Sequence, residues 1–168
     1  MYITNHNRQI ALIREMRQLR RDTQKCEVYY HHPFSNQMWK SFFPCSDGND
    51  LGPKLLRHEP VPTEIEKNLE ICLSEDDPEN AIGLGIEWST KTHLWPKIIQ
   101  VLERRYSKYL RGQLKLFLEY LKMGELQIPE ESDEAPQEEI AYSISNEQLN
   151  NLIWRSRKVR MKRFFVFG

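Results

Sequence analysis

Apolar positions recur at helical spacing first at Leu12, Ile13, Met16 and Leu19, which predicts a first helix from about Asn5 to Asp22. Its outward face carries Arg14, Arg17, Arg20 and Arg21, with Glu15 and Asp22 as the main acids nearby. The pattern then changes period. Cys26–His32 and Met38–Phe43 are rich in β-branched and aromatic residues and flank Pro33–Gln37, a β-hairpin with a five-residue connection. Alternation sets Val28, Tyr30 and His32 on one side of the first strand, with Tyr29 and His31 on the other. Both faces are aromatic, so the hairpin either lies between two layers or leaves an aromatic surface for a partner.

Pro44–Pro62 holds Asp47-Gly48, Gly52-Pro53, Pro60 and Pro62 and reads as a long loop. Thr63 and Glu66 then have capping-box spacing, ahead of a helix whose buried stripe is Ile65, Leu69, Cys72 and Leu73 and which ends near Ser74. Asp77-Pro78 suits a helix start. Yet Ile82, Leu84, Ile86 and Trp88 alternate with Gly83, Gly85 and Glu87, and that period favours a strand. From Pro96 to Met123 an apolar stripe in steps of three and four predicts one long helix, which Gly112 could bend or break. Ser145 and Gln148 repeat the capping spacing before a last helix with Leu149, Leu152 and Ile153 on its apolar side. Phe164–Phe167 closes the chain as an apolar run, expected to be a final strand docked in the sheet. The whole predicts a single α+β domain over residues 1–168. In it a small, mainly antiparallel sheet packs against three to four helices, with 96–123 as the spine.

The 168 residues contain 24 Lys plus Arg and 24 Asp plus Glu, so the chain has no overall positive field of the kind that draws proteins to nucleic acids or anionic membranes. Electrostatic function must be local, and charge is indeed segregated. Residues 124–139 hold seven acids and no base, which predicts a mobile acidic loop, while Arg155, Arg157, Lys158, Arg160, Lys162 and Arg163 crowd into nine positions. No apolar segment resembles a signal-peptide core or a membrane span, so no membrane partner is expected. Cys26, Cys45 and Cys72 are an odd number in a chain large enough to fold without bridges, and a cytoplasmic location follows.

Candidate chemistry is sparse. Cys26, His31, His32, Cys45 and His58 match no metal-ligand spacing, and no metal is expected. Cys72 lies on a buried helical stripe and Cys45, beside Pro44, has no flanking small-residue elbow, so neither is set up as a nucleophile. Gly83 and Gly85 lack the third glycine of a dinucleotide fingerprint, and the paired carboxylates lie in acidic loops. We therefore expect no catalysis, no cofactor and no small-molecule substrate. The run Ile153–Arg163 resembles the third helix of a homeodomain, without the asparagine that family uses to read adenine and without the upstream helices. A nucleic-acid surface at Arg155, Arg157, Lys158, Arg160, Lys162 and Arg163 is the second reading.

The first is binding of another protein, itself charged, with Tyr29, His31, Trp39, Arg14, Arg17 and Arg21 as contact residues, because aromatic side chains and arginine dominate interface hot spots. That profile is shared by small inhibitor proteins, toxin-neutralising immunity proteins among them.

Overall fold

A computed structural model describes residues 1–44, 52–126 and 144–165. It is an α+β fold built on a five-stranded antiparallel sheet. The strands are β1 (Tyr2–Ile3), β2 (Arg17–Asp22), β3 (Glu27–His32), β4 (Gln37–Phe42) and β5 (Leu55–Glu59), in the order β1-β5-β4-β3-β2. Six α-helices are described: α1 (His6–Arg14), α2 (Ile65–Ser74), α3 (Pro78–Ser89), α4 (Trp95–Arg105), α5 (Arg111–Tyr120) and α6 (Asn146–Phe165).

The predicted hairpin is β3–β4, with Tyr30 opposite Trp39 and His31 opposite Met38. The first predicted helix is cut short. α1 ends at Arg14, and Arg17–Asp22 turn back as edge strand β2 against β3, with a register shift between Gln18 and Arg20. Within the expected loop Pro44–Pro62 lies β5, while residues 45–51 are outside those described. β5 shows no alternation because it is central: Leu55 and Leu56 point to opposite faces and both are fully buried.

The strand expected at 82–88 is helix α3, opened by Pro78 at its first turn and by Asp77, whose side chain accepts from Glu79 N at 3.1 Å. Its glycines are packing residues. A Cβ on Gly83 would sit 2.5 Å from Tyr2 Cβ, and one on Gly85 would sit 2.8 Å from Tyr120 Cβ and 2.9 Å from the Phe117 carbonyl oxygen. β1 and α5 thus approach the α3 backbone on two sides, and Trp88 meets Phe117 edge-on at 6.0 Å between ring centroids.

The spine expected over 96–123 is two helices, and the break lies before Gly112. A 3-10 turn at Tyr106–Lys108 leads into extended Tyr109 and Leu110. The backbone groups freed there are satisfied at a distance, since Leu110 N donates to Leu73 O at 2.9 Å and Tyr109 O accepts from both Nε and Nη2 of Arg163. Tyr109 is itself buried, which anchors the turn and lets α5 fold back on α3.

α2 has the predicted stripe but not the predicted cap. Glu64 is its N-cap residue and makes no side-chain cap bond, while Glu66 pairs with Arg105 of α4. α6 starts as predicted: Ser145 N donates to Gln148 Oε1 at 3.1 Å and Gln148 N to Ser145 Oγ at 3.2 Å. It continues as helix through Phe165, so Phe164 and Phe165 belong to no strand, and 166–168 lie outside the described residues. The acidic loop predicted at 124–139 falls outside them from residue 127 onward.

Packing at the two helical glycines and openness at a third predict opposite effects of one change. Gly83→Ala should lower stability by about 1–3 kcal/mol despite the better helix propensity of alanine, because Tyr2 must move. Gly112→Ala, where nothing lies within 4 Å, should raise it by roughly 0.5 kcal/mol. Urea unfolding of both variants beside the parent protein reads the two signs.

Candidate functional site

Cross-strand neighbours share a face of the sheet, so the register decides which predicted residues can act together. Arg20 stands opposite Tyr29, Tyr29 opposite Lys40, Lys40 opposite Arg57, and Arg57 opposite Tyr2. These side chains form a ladder of cations and rings across one face. The Arg20 guanidinium lies 4.7 Å from the Tyr29 ring centroid, Lys40 Nζ lies 4.6 Å from that of Phe42, and the Arg57 guanidinium 4.9 Å from the same ring. Glu27 ties the outer rungs, accepting from Tyr29 OH at 2.8 Å and from Lys40 Nζ at 3.0 Å.

At the inner end the ladder enters the core. Arg57 donates to Glu59 at 2.6 Å and to Glu87 Oε2 at 2.5 Å, and Glu87 also accepts from Tyr2 OH at 2.8 Å and Lys91 Nζ at 2.7 Å. Both charged partners are buried. Burial works to raise the Glu87 carboxyl, but the Arg57 guanidinium and the Lys91 ammonium outweigh it and hold the group below the usual carboxylate range. Burial alone pushes the nearby Tyr2 hydroxyl upward, and Glu87 adds to that. Lys40, Arg57 and Lys91 also border a cleft of about 680 Å³ between the sheet and helices α2 and α4.

The outer end is different in kind. Every residue of β2 from Arg17 to Arg21 is exposed, and β2 and β3 pack chiefly on neighbouring strands. Two acids near these arginines are engaged elsewhere: Glu15 lies 3.4 Å from His32 Nε2, and Asp22 accepts from the backbone of Gln24 and Lys25. Among the described residues no carboxylate pairs with Arg14, Arg17, Arg20 or Arg21.

The structure thus divides the predicted contact residues. Arg17, Tyr29 and His31 share the ladder face with Arg20, and His31 Nε2 is held 2.9 Å from Asn36 Oδ1. Arg21 and Trp39 face the other way, Trp39 packing edge-on against His58 with centroids 5.4 Å apart. Arg14 is in the last turn of α1 and not on the sheet. Two exposed apolar residues join the outer end: Phe34, not singled out in the sequence, and Leu19, expected on the apolar stripe of the first helix and found on strand β2 instead. Phe34, at the β3–β4 turn, is 88% exposed and set against the His32 ring, and Leu19 at the register shift is 52% exposed. A lone phenylalanine in a turn gives no signal of this kind in sequence.

The second predicted surface is also divided. Arg155 forms a two-point bond with Glu103 at 2.9 and 2.6 Å, and Arg163 serves the Tyr109 carbonyl, so both work within the fold. Arg157, Lys158, Arg160 and Lys162 remain exposed on α6. Cys72 is buried, its thiol pushed up to about 12 by that burial, and it keeps its proton at neutral pH. Cys45 lies outside the described residues, and among those described no three His, Cys, Asp or Glu side chains are grouped to hold a metal. No helix among them is long and apolar enough to cross a membrane. Comparison with family models, with curated proteins and with solved structures found no match.

A carboxyl held below its ordinary range by neighbouring cations, against the effect of its burial, stabilises the fold above its unfolded value and loses that contribution as pH falls through its native one. Stability should therefore decline from about pH 5 downward. Glu87→Gln should cost about 3 kcal/mol at neutral pH, by leaving Arg57 and Lys91 short of a partner, and should flatten that decline. Urea titrations at neutral and acid pH check both effects.

Proposed function

We propose that the protein is a non-catalytic binding module that takes an acidic partner protein on the outer end of its sheet. One observation carries the reading: arginines 17, 20 and 21 are exposed on edge strand β2, and among the described residues no carboxylate is paired to them. Among the described residues, their charge meets a partner without breaking an ion pair. Tyr29 and Phe34 add the ring surface that anchors interfaces, the first already stacked under Arg20 and the second projecting from the turn. An inhibitor of the toxin-neutralising kind fits this division of labour, with cations steering the encounter and rings setting residence time.

The test uses the full chain as bait in nuclease-treated lysate from its source, beside an Arg17→Glu/Arg20→Glu/Phe34→Ala variant. The changes are all at exposed positions, so the fold should hold to within about 0.5 kcal/mol per site. A defined protein should co-elute at a simple ratio, bind more weakly as salt rises, and lose at least about tenfold in affinity with the variant. Recovery of the same protein by both baits, or of nucleic acid alone before nuclease treatment, would sink the proposal.

A further inference from the structure

Helix α6 has two apolar faces, and among the described residues one of them packs into the core while the other is exposed. Leu149, Leu152 and Val159 are buried where it packs on α4 and α5. On the far side stand Trp154 and Met161, 54% and 57% exposed. Seven residues is close to two turns, so they form one outward stripe. Arg157, Lys158, Arg160 and Lys162 are exposed around it. Lys158 Nζ sits 3.3 Å from the Trp154 ring centroid, and among the described residues no carboxylate pairs with any of the four cations. No acidic residue follows Glu147 in the sequence.

A helix seated in a nucleic-acid groove centres on side chains that hydrogen-bond base edges, with cations reaching the phosphates along the rims. Here a tryptophan and a methionine hold the middle and the cations border them, the arrangement of a helix lying in a membrane interface. Tryptophan favours the headgroup level of a bilayer, where its ring is half apolar and its N–H is wet. The inner side of α6 is committed to the core, and its exposed positions from Trp154 to Lys162 form a convex outward strip. A groove that wraps a helix would have to unpack α6, whereas a flat surface meets that strip as it stands.

We propose that the outer face of α6 docks reversibly on an anionic lipid surface, with Trp154 and Met161 at headgroup level and Arg157, Lys158, Arg160 and Lys162 against the lipid charges. The balanced charge of the whole chain does not oppose this, because at physiological salt charges beyond about 8 Å are largely screened and only the local field counts. Each cation at such a surface contributes about a fivefold gain in binding, so four supply roughly several hundredfold.

Tryptophan emission reads the event directly. Trp88 and Trp95 are buried and Trp39 is half-buried, which leaves Trp154 as the exposed ring whose emission moves to shorter wavelength on entering an interface. The full chain is titrated with phosphatidylcholine vesicles containing about one-third phosphatidylserine, and with pure phosphatidylcholine vesicles, and binding is also scored by co-sedimentation. A blue shift and sedimentation with the anionic vesicles alone, weakened by salt, are expected. Trp154→Ala/Met161→Ala should cut sedimentation at least about tenfold, and Lys158→Glu/Lys162→Glu further, both variants keeping the parent unfolding midpoint. No sedimentation with anionic vesicles would overturn the proposal. So would equal sedimentation of the Trp154→Ala/Met161→Ala variant, or saturation of the same face by duplex DNA with no vesicle binding.

Discussion

Burying a carboxylate and a guanidinium together is the constraint on which the arrangement of sheet against helices rests. Neither Glu87 nor Arg57 can be stripped of water alone, because an unpaired buried charge costs several kcal/mol. The pair therefore fixes which face of β5 meets α3 and at what height along the helix. Tyr2 adds its hydroxyl to the same carboxylate, and Gly83 gives Tyr2 room to lie against the helix. With that corner set, the register of β5, β4 and β3 carries the pattern outward: Arg57 places Lys40, Lys40 places Tyr29, and Tyr29 receives Arg20. A surface far from the core is positioned in this way by one internal ion pair.

The elements legible in the sequence are those whose signal is local. The hairpin, the stripe of α2 and the reciprocal Ser145–Gln148 cap each depend on residues within a few positions of one another. The elements misread depend on distant ones. Alternating Ile82–Trp88 looks like a strand because Gly83 and Gly85 interrupt the helix pattern, and their reason for being glycine is Tyr2 and the α5 backbone. The apolar stripe of 96–123 continues through the turn at Tyr106–Leu110 because both helices face the same core. The freed backbone is met by Leu73 and by Arg163, the latter far along the chain. β5 carries no period because both its faces are covered.

The candidate surfaces were legible as composition and not as geometry. Arginines 14, 17, 20 and 21 read as one helical face, and the turn after Arg14 puts three of them on a strand that splits them between two sides. The basic run of α6 reads as one patch, yet Arg155 and Arg163 are structural while the residues between them point outward. Exposure itself has no local code. Met161 and Val159 are both apolar and two positions apart, and only the packing of α6 on its neighbours makes one solvent-facing and the other core.

The two margins of the sheet end it by different means. β1 is only two residues long and is held under α3, so it offers almost no free backbone to another strand. β2 is long enough to template one, but its hydrogen-bonding row is interrupted at Leu19 and lined with like charges. A second copy approaching through the same edge would set arginine against arginine across a mismatched register. The sheet is thereby kept finite: edge-to-edge growth into ribbons, the usual hazard of an open antiparallel sheet, is discouraged at both borders.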